Sequence, residues 1–151
     1  MLARMAKPRR AAATPDAHAA RVRGLCLALP ETSERPSHGE PTFFAGSRVF
    51  AMMSLDHHGD GRFAVVLPCE AFLQQRQIAE RPATFFFPAY VGAKGWVGVE
   101  LAKIGDRELA ELVRGAWERV APKRALRAAA LAEAGPAGKS GGVGRKGPRA
   151  S

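Results

Sequence analysis

The sequence predicts an α+β fold: a two-layer sandwich of a five-stranded, mainly antiparallel sheet and three helices in the order α-β3-α-β2-α. Three observations predict it. Apolar residues recur at helical spacing in separate segments, short aromatic and β-branched runs lie between those segments, and most links between the runs are too short for a parallel crossover.

The first helix opens at Thr14-Pro15-Asp16, with Thr14 as N-cap and Pro15 at the first helical position. Val22, Leu25, Cys26 and Leu29 form its apolar stripe, and Pro30 stops it. The segment ETSERPSHGEP reads as a polar turn, because its prolines and glycine oppose a helix. Residues 42–45, 48–53 and 62–67 read as three strands of a meander, the first two joined at Gly46-Ser47. Pro68 then reads as the start of a second helix, with Glu70 near its positive end and Arg81-Pro82 at its close. Residues 84–87 and 96–101 read as two further strands. In the latter, Val97, Val99 and Leu101 alternate with Trp96, Gly98 and Glu100, which implies one buried and one wetter face. Gly105-Asp106 opens a third helix whose Leu109, Leu112, Val113, Ala116, Trp117 and Val120 give the strongest period in the chain. Residues 123–133 are Ala-rich and read as a short, marginal extension.

At 151 residues and 16.1 kDa there is room for one domain, and the 108 residues from 14 to 121 suffice for a core. Hydrophobic residues at 46% and charged residues at 25% fit a globular protein. No apolar run reaches the roughly 18 residues of a membrane span, and no membrane partner is expected. Two cysteines exclude a disulfide scaffold. The N-terminus lacks the apolar stretch of a secretory signal, although its Arg- and Ala-rich composition is also that of organellar transit peptides. The default location is the cytoplasm.

The charge is unevenly placed. The formal total is +9, but residues 1–13 sum to +4 and residues 122–151 to +6, which leaves −1 for residues 14–121. The chain therefore divides into a basic N-terminal tail (1–13), a folded domain (14–126) and an Ala/Gly-rich basic tail (127–151). Both tails read as disordered, and flexible basic segments attract polyanions through counterion release without reading sequence.

Four stretches carry a resemblance: LCLALPET, SHGEPTFFAGSRVFAMM, RPATFFFPAYVGAKGWVGVEL and ELAELVRGAWERVAPKRAL. Together, and with their motifs S-x-G-x-P-x-F, K-x-W-V and A-P-K-R, they make residues 18–126 similar to the MmcQ/YjbR family of small bacterial proteins. The resemblance implies the secretion-chaperone or CyaY-like two-layer fold and DNA binding through a pair of β-wings. It implies no catalytic signature, and the basic tails lie outside it.

The remaining constellations carry less chemistry. Asp56-His57-His58-Gly59-Asp60, with His38 and Glu40, has metal-ligand residue types but no helical His pair, and reads as a solvated loop. Neither a metal nor any other cofactor is expected. Cys69 at a helix start lacks an adjacent base, and Cys26 belongs to the core. The run from Gly135 to Ser140 is two residues short of a phosphate loop and follows no strand. Of Phe85, Phe86 and Phe87, at least two are expected in the core.

Trp96, beside Lys94, is the candidate for stacking a base or gripping a peptide, and Arg48 and Arg62 at strand starts extend a basic stripe toward it. The function that the resemblance implies, together with the basic ends, is non-catalytic binding of DNA or RNA, weak and salt-dependent. Arg48, Arg62, Lys94 and Trp96 dock the body, while Lys123, Arg124, Lys7, Arg9 and Arg10 attract phosphate. Most of the affinity is expected from the ends. The alternative is an adaptor that binds a protein or ligand partner on the sheet face.

Overall fold

The computed structural model describes residues 13–141. It is α+β, with six strands and four helices in the order α1 (Pro15–Leu27), β1 (Thr32–Ser37), β2 (Glu40–Ala45), β3 (Arg48–Leu55), β4 (Phe63–Pro68), α2 (Ala71–Glu80), β5 (Phe85–Phe86), β6 (Trp96–Glu100), α3 (Asp106–Val120) and α4 (Lys123–Gly141). The sheet order is β1-β2-β3-β4-β6-β5, and every neighbouring pair is antiparallel.

The first helix begins as its sequence dictates. The Thr14 hydroxyl accepts from the Ala17 N–H at 3.0 Å, and Pro15 occupies the first turn where its missing N–H costs nothing. Val22 and Cys26 are fully buried, and Leu25 and Leu29 pack against the same core. Arg21 ties α1 across the molecule: its guanidinium donates to the Leu101 and Ile104 carbonyls at 2.6 Å and pairs with Asp106 at 2.7 Å.

α1 and α3 pack on β3 and β4 and on each other. Their apolar stripes meet Val65, Leu67, Val97 and Val99, all buried, in one core with Trp117 at its centre. The β2–β3 register slips after Phe43, which faces Ala51, so that Phe44 faces Val49 and Phe50 is the extra residue of a bulge. The bulge lets consecutive residues Phe50 and Ala51 both be completely buried.

Four expectations are corrected. The segment expected as a polar turn contains β1. As an edge strand it buries no continuous face, so TSERPS shows no alternation, and Pro36 is tolerated because an edge has one unpaired side. Besides its ladder with β2, side chains tie β1 down: Glu34 accepts from Nε and Nη2 of Arg23 on α1 at 2.6 and 2.8 Å, and Arg35 lies 3.9 Å over the Phe44 ring. Pro68 ends β4 rather than opening α2, which starts at Ala71 after Glu70. Only Phe85 of the phenylalanine run is core; Phe86 is half-buried and Phe87 is 60% exposed. Finally, α4 is a fourth helix. Residues 123–133, expected as a short, marginal extension, begin a helix that buries Ala125 and Ala129, and its Glu133 pairs with Arg114.

The second sheet face has Arg62 lying 3.8 Å over the Phe86 ring, which itself lies flat on Gly98 of β6. A Cβ at Gly98 would penetrate that ring. Gly98→Ala is therefore expected to cost about 1–3 kcal/mol by overpacking. In a Phe86→Leu background the same change should cost much less, and urea melts of the two single variants and the double variant measure the coupling.

His18 gives the fold a pH dependence. It is buried on α1, its ring 5.3 Å from that of Phe63, and burial followed by the nearby Arg21 charge lowers its pKa from 6.5. The unfolded chain then takes up a proton that the folded one resists. The contribution is complete above pH 6.5 and is lost as the pH falls toward the lowered folded value. Urea midpoints are expected to drop from pH 7.5 to 5.5, and His18→Gln should flatten that drop. Glu34, lowered by its bond to Arg23, acts separately, below its ordinary 4.5.

Candidate functional site

The antiparallel meander brings the start of β3, the end of β4 and the start of β6 to one end of the sheet, where Pro68 faces Trp96. The last turn of α3 lies over the same place. Between them is an open cleft of about 450 Å³ lined by Arg48, Val49, Pro68, Cys69, Lys94, Trp96, Arg119 and Val120.

Local structure sets the backbone from which each of these side chains projects. Arg48 follows the Gly46-Ser47 hairpin, whose Gly46 has φ +61° and where a Cβ would stand 3.5 Å from the ring of Pro122. Lys94 closes a short 3-10 turn, Gly92–Lys94. The chain then reverses into β6 through Gly95 at φ +96°, where a Cβ would stand 3.2 Å from the Cys69 carbonyl. The buried Gln74 carboxamide on α2 donates to the Gly92 carbonyl at 2.7 Å and the Trp96 carbonyl at 2.6 Å. That clamp sets the spacing of Lys94 and Trp96. Arg119 sits in the last turn of α3, beside Val120.

The lining includes three cations and no carboxylate. Among the described residues, the ion pairs engage Arg21, Arg23, His57, Arg62, Arg76, Arg81, Arg114 and Arg124. Arg48, Lys94 and Arg119 are exposed and have none. The near-zero charge of residues 14–121 therefore conceals a segregation: paired arginines cancel carboxylates elsewhere while the cleft keeps its positive charge. The carbonyl end of α3 opposes it by only about half a unit charge.

Cys69 forms part of the cleft wall. It donates to the Gly95 carbonyl at 3.3 Å, and burial pushes its pKa up, with Arg119 acting in the opposite sense. Cys26, pushed up to about 12 by burial, stays in the core. Among the described residues no three His, Cys, Asp or Glu side chains could hold a metal ion. The polar loop after β3 is used for its own shape: Asp56 Oδ1 accepts from the Gly61 N–H at 2.6 Å, Asp60 Oδ1 accepts from the Arg62 N–H at 2.8 Å, and His57 pairs with Glu40 at 3.3 Å.

Of the residues singled out from the sequence, Arg48, Lys94 and Trp96 come together. Arg62 does not join them. It lies just before β4, at the opposite end from Pro68, paired with Glu100 at 3.3 Å, so the expected stripe through it is absent. Arg124 is held by Glu31 at 2.6 and 2.7 Å, whereas Lys123 is exposed at the start of α4. Lys7, Arg9 and Arg10 lie outside the described residues. Arg119 was not foreseen: on the polar side of the α3 stripe it reads as an ordinary helix-end cation.

The whole arrangement falls in a recognisable stretch of sequence. Residues 27–119, which contain every cleft residue but Val120, match the model of the YjbR family. The chain belongs to the YjbR family. In this YjbR protein Lys94 and Trp96 of the K-x-W-V motif line the cleft, and A-P-K-R directly follows Val120. The crystal structure of Deinococcus radiodurans protein DR2400, with a DUF419 domain, is similar at a TM-score of 0.58 and 20% identity, covering 87% of this chain and 96% of that one. That likeness establishes the fold. The comparison with curated proteins returned no match.

Proposed function

We propose that this YjbR protein binds nucleic acid and catalyses no reaction, with the Arg48–Lys94–Arg119 cleft as its docking point. One observation carries the reading: three cations with no ion pair among the described residues line one cleft beside a tryptophan on a near-neutral body. Phosphate attraction is chiefly a matter of cations free to release counterions, and here they are concentrated rather than spread. Lys123 and the basic ends, including Lys7, Arg9 and Arg10, add unspecific attraction. The raised pKa of Cys69 speaks against a nucleophile in the cleft. Both cysteines are free thiols, which suits the cytoplasm. The adaptor reading has less support, because Arg35 and Arg62 already occupy the rings of Phe44 and Phe86 on the sheet face.

Fluorescence anisotropy of a labelled oligonucleotide tests the location. Arg48, Lys94 and Arg119 changed to Gln should weaken binding far more than the same change at Lys103, Arg107 and Arg127, which are equally exposed and have no ion pair among the described residues. Equal losses for the two triple variants would place the interaction outside the cleft.

A further inference from the structure

We infer that the cleft takes one unpaired nucleotide, its base against Trp96 and its own and the adjoining phosphates of its strand on Arg48, Lys94 and Arg119, one to each cation; the inference rests on the nucleic-acid reading and gives it a ligand class. The volume of about 450 Å³ lies in the lower part of the range for small-ligand sites, the scale of one nucleotide rather than a helix. The lining has two chemistries. Val49, Pro68, Val120 and the half-buried Trp96 offer apolar and aromatic surface, and the three cations offer phosphate contacts. A nucleotide has the same two parts joined in one unit. In a duplex both faces of a base are covered by its neighbours, so a recessed tryptophan can be reached only by a base that is out of the stack. Trp96 is also held ready: the Gln74 bond to its carbonyl and the Gly95 turn before it fix the backbone, which lowers the ordering cost of binding. An unpaired nucleotide can belong to a single strand of DNA or RNA or be a free monophosphate.

The intrinsic emission of the intact protein reads this directly. Trp117 is fully buried with its indole N–H on the Pro30 carbonyl, so it supplies a constant background against which Trp96 reports. Oligothymidylate, oligouridylate, a duplex without overhangs and thymidine monophosphate are titrated separately. Either single strand is expected to quench Trp96 and the duplex to leave it unchanged, with the monophosphate competing for the same signal. Trp96→Ala should weaken strand binding about tenfold, and Trp96→Phe should retain most of it. Equal quenching by the duplex, or unchanged strand affinity in Trp96→Ala, would overturn the inference. Strand binding that depends on salt but leaves the emission untouched removes the inference and keeps the general reading. Quenching by the monophosphate with no strand bound keeps the cleft chemistry and removes the nucleic-acid reading. Absence of binding to strand, duplex and monophosphate at low salt removes both.

Discussion

Changing Arg48, Lys94 and Arg119 together to Gln is expected to weaken single-strand binding about a hundredfold at 0.1 M salt and to make the plot of log affinity against log salt shallower by about two. Both figures have one origin. Each phosphate neutralised on a single strand contributes about 0.7 to the salt slope, and at 0.1 M salt that release is worth about 0.7 of a decade. Three contacts thus give about two decades and about two units of slope. Cations already paired with carboxylates contribute much less, because a strand must first displace the intramolecular partner; Arg62→Gln and Arg124→Gln should therefore each change affinity less than twofold. Anisotropy titrations at several salt concentrations give slope and affinity from the same data. A triple variant with an unchanged slope contradicts the assignment of phosphate contacts to these residues.

Trp117→Ala is expected to destabilise the fold by about 3–5 kcal/mol, lowering the melting temperature by roughly 10–20 °C. Trp117 is fully buried in the core, and its indole donates to the Pro30 carbonyl at 3.1 Å, so truncation leaves both a cavity and an unpaired acceptor. Trp117→Phe fills most of the space and should recover about half of the loss. Thermal melts followed by circular dichroism separate the two. The same core positions α3, and with it Arg119 over the cleft, so the Ala variant should also bind more weakly at temperatures near its melting point.

The fold was legible wherever burial is one-sided. The α3 stripe from Leu109 to Val120 and the alternation of Val97, Val99 and Leu101 print the core directly onto the sequence. β1 was not legible, because an edge strand pinned by Arg23 and by the cation–ring contact of Arg35 has no internal period. α4 was hidden for a related reason: its buried positions, Ala125 and Ala129, are small and sit among many other alanines.

The site was half legible. Trp96 and Lys94 are close in sequence, and Arg48 lies two strands away at the same sheet end, which element order alone suggests. Arg62 has the same credentials but stands at the other end of its strand, and only the register and the Glu100 pair reveal that it is neutralised. Arg119 comes from a different layer of the fold, and no local signal separates it from other helix-end arginines. Residues 14–121 sum to −1, but that sum averages over a body in which pairing, rather than number, decides where positive charge is available.

That local concentration of unpaired charge beside Trp96 is most directly tested by photocrosslinking the intact protein to a strand carrying 5-bromouracil and mapping the adducts by mass spectrometry. The account predicts adducts within residues 94–96, at Trp96 above all. Adducts confined to residues 1–12 and 142–151, with none in the cleft, would contradict it.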